Sequence, residues 1–309
     1  MSPRRGTRIV VPPPLREGDR VGVIATGSAV SRDQLDAGVG ALEALGLRVR
    51  VGRSARSRNG FLAGPDRVRA ADLAAFLEDD GLGAIVFARG GWGTSRILDS
   101  VPWRALSRRP KLLMGYSDLT ALFAPALDRA GLSCVYGPNA SELGDRRAYD
   151  RASLLRAFLR PREPIALGFP ARDVLAPGRA AGRLVGGCLT LLAHLAGTPW
   201  APRLRGRVLL IEEIEEPPYR LDRMLTQMRL AGMLDGVAAV LIGSLTRCEA
   251  RPGSNPSPPA REVVAAAFRG LRIPVVAGLR IGHIDRKVSV PLGFRASVDT
   301  DRRRILLEP

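Results

Sequence analysis

The sequence predicts an α/β protein of two domains. The first is a doubly wound, mostly parallel sheet and the second an α/β domain with a mixed, strand-rich sheet. Three observations carry this. Short apolar runs alternate with amphipathic stretches of about 10–15 residues, the rhythm of βαβ units. Glycine- or serine-bearing loops follow three of those runs, where ligands of parallel sheets bind. Between about Ser141 and Arg183 the composition shifts, and Pro161, Pro164, Pro170 and Pro177 interrupt any long element. That suits a linker. The expected layout is a first domain at 1–145, a linker at 146–182 and a second domain at 183–309.

In chain order, residues 1–19 form a basic, proline-rich lead-in, and Val21–Ala25 is the first buried strand, followed by Thr26-Gly27-Ser28. A helical pattern from Asp33 to Leu45 ends at Gly46, and Leu47–Val51 is the second strand. Pro65–Leu77 reads as a helix and Ala84–Ala88 as a strand, running into Arg89-Gly90-Gly91-Trp92-Gly93. Lys111–Met114 is a short buried strand. Gly115 permits a sharp turn after it, and a helix begins near Asp118. Leu184–Cys188 opens the second domain, with a helix over 189–195. Val208–Ile211 runs into Glu212-Glu213, Tyr219–Leu230 is an amphipathic helix, and Val237–Ile242 is a strand. Arg251–Pro259 is a Pro/Ser-rich loop that could close over a ligand. Val275–Leu279 leads into Arg280-Ile281-Gly282-His283, and the tail from Val288 to Leu307 alternates like strands.

The net charge of +17 comes from arginine, since only Lys111 and Lys287 are lysines. Polyanion binding is the usual meaning of such charge. Here the arginines are scattered, without a stripe or tail, so nucleic acid is not an expected partner. Cys134, Cys188 and Cys248 are odd in number and lack C-x-x-C spacing. They argue for a reducing, cytoplasmic setting and against a disulfide framework. No run approaches the ~18 apolar residues of a membrane span, and Ile9-Val10-Val11 is too short for a signal core.

Ser117, between a buried strand and a helix start, has the setting of a nucleophile elbow: the turn exposes the oxygen and the helix N-terminus favours developing negative charge. Leu119 occupies the second glycine position of G-x-S-x-G, and the alternative is a Ser/Asp helix cap. Of the two histidines, His283 follows a strand end and is the better general base. His194, in an apolar helical run, reads as a half-buried structural residue. Glu212 and Glu213, at the mouth of a strand, could orient an imidazole, or form a solvated acidic turn with Glu215 and Glu216. Neither histidine has further ligands at metal-binding spacing, so no metal is expected. The Arg89–Gly93 loop lacks a nucleotide-binding glycine pattern, so no cofactor is expected. It could wall an oxyanion hole.

Ala88–Gly93, Gly115-Tyr116-Ser117-Asp118, Gly186-Gly187 with Gly197-Thr198-Pro199, Ile211-Glu212-Glu213 with Glu216–Leu225, and Gly282-His283 resemble, in that order, the LD-carboxypeptidases. These are serine peptidases that include muramoyltetrapeptide carboxypeptidases and a microcin-immunity branch. The resemblance implies a Ser117–Glu212–His283 triad split between the two domains, and an oxyanion hole from the backbone N–H groups of Gly91 and Asp118. It implies a murein tetrapeptide substrate, cut at the L,D bond before its terminal D-alanine through an acyl-enzyme, in a cytoplasmic homodimer. Arg89, Gly90, Trp92 and Tyr116 are expected to meet substrate, Arg89 as a clamp for its carboxylate.

The sequence departs from the family where Tyr136-Gly137-Pro138 stands for His-Gly-Pro, and where Gly187-Cys188 stands for Gly-Gly-Asn. Trp92 and Trp200 replace common tyrosines. None of these is expected to touch the triad. The alternatives are a microcin-immunity-type enzyme cleaving aminoacyl-nucleotide conjugates, and a catalytically silent basic binding protein.

Overall fold

The structure is a computed structural model that describes residues 9–250, 253 and 256–309. Two sheets dominate it. The first is built from β1 (Arg20–Ile24), α1 (Arg32–Glu43), β2 (Arg48–Val51), α2 (Asp66–Glu78), β3 (Leu82–Phe87), α3 (Trp103–Arg108), β4 (Leu112–Gly115), α4 (Thr120–Ala130) and β5 (Cys134–Tyr136). Its five strands run parallel in the order β2-β1-β3-β4-β5. Strands covered on both faces need continuous apolar runs, and Val21, Val23, Ile24 and Ala84–Phe87 are fully buried. The order reverses between β1 and β3, so a crevice opens at their carboxyl ends.

The chain continues through α5 (Arg151–Leu159), β6 (Ile165–Gly168), β7 (Val174–Ala176), β8 (Arg179–Cys188), α6 (Leu189–His194), β9 (Arg207–Ile214) and α7 (Pro218–Leu230). It ends with β10 (Ala239–Thr246), α8 (Ala260–Ala266), β11 (Val275–Val276), β12 (Val290–Leu292), β13 (Arg295–Asp299) and β14 (Arg304–Glu308). The second sheet has eight strands, β6-β14-β13-β8-β9-β10-β11-β7. Its centre, β8 to β11, is parallel and its flanks are antiparallel. This is the mixed, strand-rich sheet expected.

The segment 146–182 is not a linker. It folds into α5 and supplies both edge strands of the second sheet, β6 and β7. Its prolines punctuate short elements at their ends, as at Pro170 ahead of the 3₁₀ turn Ala171–Asp173. The boundary is blurred again near the end of the chain, where β12 pairs antiparallel with β5 in the first sheet. Of the Arg251–Pro259 loop, Arg251, Pro252, Ser254 and Asn255 lie outside the described residues.

Candidate active site

Ser117 lies two residues past Gly115, the last of β4, and opens the 3₁₀ turn Ser117–Leu119 that leads into α4. Its φ is 65°, left-handed for a residue with a Cβ. Such backbone costs on the order of 1–2 kcal/mol and persists only where surroundings impose it. Here the imposition is visible: Tyr116 is extended, and the Ser117 N–H donates to the Tyr136 hydroxyl at 3.1 Å. Gly90 backs the serine closely. A Cβ added to Gly90 would sit 2.8 Å from Ser117 Cβ, so only glycine fits.

All three loops noted in the sequence meet at this turn. Ser28 N–H donates to Gly90 O, and Trp92 N–H donates to Ser28 Oγ. Asp118, fully buried, accepts the Thr94 N–H at 2.8 Å and so fixes the Gly90–Gly93 loop to the elbow. Burial pushes the Asp118 carboxyl up to about 6, against the hydrogen bonds from Thr94 and Gly93 that lower it. Arg69 on α2 adds a second fastening. Completely buried, it donates to Thr26 O, Gly93 O and Asp66 Oδ1. Sequence reasoning missed it, because an arginine on a helix reads as solvent-facing.

The glutamates were expected just past a strand end, but β9 runs through both of them to Ile214. A strand can carry two carboxylates inward only if their oxygens are paired. Glu213, 2% exposed, accepts the N–H groups of Thr190 and Ile214, with the Cys188 thiol 3.5 Å away. Glu212, 0% exposed, uses both oxygens: Oε1 accepts the Tyr136 hydroxyl at 2.6 Å, and Oε2 lies 2.8 Å from His283 Nδ1. The His283 N–H also donates to Oε2, at 3.2 Å. A Cβ on Gly282, whose φ is 108°, would overlap that carboxylate. The solvated acidic turn is therefore excluded for Glu212 and Glu213.

His283 is mostly enclosed, with the Tyr116 ring 4.7 Å from its own. Burial disfavours the imidazolium, but the Glu212 carboxylate outweighs it, and the pKa is raised above the ordinary 6.5. Glu212 on Nδ1 leaves Nε2 as the basic nitrogen.

The remaining expected contacts divide. Arg89 is exposed at the crevice, its guanidinium donating to Ala29 O at 3.1 Å. Trp92 is half-buried over Cys188 and Leu191. Tyr116 is buried, with its hydroxyl donating to Glu142 and Lys287 over its ring. It supports His283 from behind. Tyr136, expected to stay clear of the triad, bonds Glu212 directly, because β5 ends facing β9 across the contact of the two sheets.

His194 also corrects its expectation. It is exposed, edge-to-face against Trp92 at 5.4 Å, and borders a cavity of about 380 Å³ with Thr190, Glu216, Arg220 and Arg223. The apolar face of α6 turns its other residues inward and leaves this one at the rim. His194→Ala should therefore shift unfolding free energy by less than about 1 kcal/mol; a loss above about 2 kcal/mol in urea titrations would contradict the exposed placement.

Residues 21–137 match the LD-carboxypeptidase N-terminal domain and residues 181–298 match the LD-carboxypeptidase C-terminal domain. The chain belongs to the LD-carboxypeptidase family. Among its relatives is a Bacillus subtilis protein named probable murein peptide carboxypeptidase, 34% identical over 303 residues, covering 96% of this chain and 94% of the relative. The crystal structure of a muramoyltetrapeptide carboxypeptidase from Oxalobacter formigenes is similar at a TM-score of 0.79 with 29% identity, covering 93% of this chain and 97% of that one. The microcin C7 self-immunity protein MccF of Escherichia coli shares the fold, at a TM-score of 0.86 and 22% identity over 97% of this chain and 98% of that one. The fold is thus the two-domain α/β fold of these enzymes, and the chain is a serine-type carboxypeptidase, a hydrolase. Among the described residues no group of three or more His, Cys, Asp or Glu could hold a metal ion, and no helix is long and apolar enough to cross a membrane.

Proposed function

We propose that this LD-carboxypeptidase removes the terminal D-alanine of murein tetrapeptides, with Ser117, His283 and Glu212 as its triad. The observation that carries the reading is the buried Glu212–His283 pair, 2.8 Å apart, linked through the Tyr136 hydroxyl to a left-handed serine at a strand-to-helix turn. Ser117 Oγ attacks the carbonyl carbon of the L,D amide while His283 Nε2 takes its proton. Glu212 holds Nδ1–H and stabilises the imidazolium. The Ser117 N–H is committed to Tyr136, so the oxyanion is assigned to the N–H groups of Asp118 and Gly91. The imidazolium returns the proton to the departing D-alanine nitrogen, and water then releases the acyl group. Arg89, exposed at the crevice mouth, is the group we assign to the free carboxylate; Gly90 and Trp92 form the wall beside it.

The relatives' murein substrates support the choice of peptide, and a microcin-type aminoacyl conjugate is the alternative to be tested. Turnover of a murein tetrapeptide beside an aminoacyl sulfamoyl adenylate decides it: preference for the peptide by tenfold or more in kcat/KM is expected, and the reverse preference overturns the reading. The same reading carries a cytoplasmic location, in keeping with three free, buried cysteines, and a homodimer, which sedimentation at working concentration would test.

A pH dependence follows from the raised pKa of His283. The base must be neutral, so kcat/KM rises as pH climbs through the folded-state pKa and is lost below it. The acid limb is expected above the ordinary 6.5 of imidazole. A limb below that value would contradict the pairing with Glu212.

A further inference from the structure

We infer that the Tyr136 hydroxyl is a positioning group for the triad, tying the nucleophile's turn to the orienting carboxylate across the contact of the two sheets. A phenol hydroxyl has one donor and two acceptor sites, and here all three are used. It donates to Glu212 Oε1 at 2.6 Å, accepts the Ser117 N–H at 3.1 Å and meets the Thr120 hydroxyl at 3.5 Å. Thr120 Oγ1 in turn accepts the Cys188 N–H at 3.0 Å. β5, α4 and the serine turn belong to the first sheet and its helices, whereas β8 and β9 belong to the second. The triad's members come from both halves, and this one oxygen touches two of them.

The ring is fully buried and Gly187 lies against it, where any Cβ would collide with Tyr136 and Thr120. Glu212 Oε2 is occupied by His283. Tyr136 therefore fixes the oxygen that the histidine leaves over, and with it the plane of the carboxylate that sets the imidazole. It touches neither substrate nor the reacting atoms, so its effect on turnover runs through Ser117 and Glu212.

Electrostatics gives the sign of that effect. A donor to the carboxylate matters most when His283 is neutral and Glu212 carries its charge uncompensated. Removing the donor favours the imidazolium and moves the histidine titration upward. A residue that only fills space would not move it.

The inference rests on the triad reading above, so the test is chosen to separate the two. With only two histidines in the chain, the imidazole signals of His283 and His194 are followed by NMR through a pH titration in Ser117→Ala, with and without Tyr136→Phe. An upward move of His283 by about half a pH unit or more, with His194 unmoved, supports the inference. In the active enzyme Tyr136→Phe is expected to lower kcat by roughly tenfold or more with KM within about twofold, and to shift the acid limb upward. If Tyr136→Phe does not fold, 3-fluorotyrosine placed at 136 alone keeps the ring and strengthens the donor, and the limb should then move downward. Unmoved His283 titration in either variant overturns the inference. Turnover persisting in Ser117→Ala overturns the triad reading instead, and the NMR result still stands by itself.

Discussion

Ser117→Ala should lower kcat on murein tetrapeptide by on the order of 10⁴-fold or more, and His283→Ala by a comparable factor. The double variant should be little worse than either single one, because nucleophile and base act as a unit and removing one leaves the other nothing to do. Both variants should fold. Alanine at 117 keeps the Cβ and the backbone bond to Tyr136, and His283 lies in a loop after β11, so its truncation leaves the strands of both sheets intact. The control is His194→Ala, which should retain parental turnover per folded molecule to within a few-fold. Paired thermal melts and kcat values check this. Loss of turnover in well-folded His194→Ala beside an active His283→Ala would mean that the base has been assigned to the wrong histidine.

The largest loss of stability is expected from Arg69→Ala. The guanidinium is sealed from water and its donors hold the carbonyls of Thr26 and Gly93 together with Asp66. Removing it strands the Thr26 carbonyl and opens a void, whereas Asp66 keeps the Arg96 guanidinium and Gly93 O keeps the Arg96 N–H. Emptying a large, fully buried side-chain site and losing its hydrogen bonds costs on the order of 2–5 kcal/mol. Arg96 offers an internal comparison, since it pairs with the same Asp66 from a half-exposed position. Arg96→Ala should cost no more than about 1 kcal/mol. Urea midpoints at constant m-value read both. Equal losses in the two variants would show that burial of Arg69 contributes nothing special. Because Arg69 holds Gly93, its loss should also loosen the Gly90–Gly93 wall, lowering turnover in whatever fraction remains folded.

The strands of the first sheet were legible because burial on both faces demands apolar runs, and Val21–Ile24 and Ala84–Phe87 have little else to be. The meeting of the Thr26, Gly90 and Ser117 loops followed from strand direction alone. What escaped was pairing at long range. Glu212 was expected with His283, but nothing in the sequence points to the Tyr136 hydroxyl on its other oxygen or to the Thr190 N–H on Glu213. Arg69 looks like surface until its carbonyl partners close around it. The prolines of 146–182 signalled interruption truthfully, but short edge strands tolerate interruption, and pattern alone cannot tell β6 and β7 from a tether. His194 failed the other way: a helix with an apolar run still has a rim.

The pairing of β12 with β5 sets a schedule for the chain as it is made. A growing polypeptide has the elbow at 117 in hand early, but the outer neighbour of β5 is not complete until Leu292, and His283 emerges only shortly before it. Until then the first sheet keeps an open edge, and the serine has no base although Glu212 is already made. A hydrolase wired in this way gains its reactivity in one step near the end of synthesis, and an interrupted chain is an inert one.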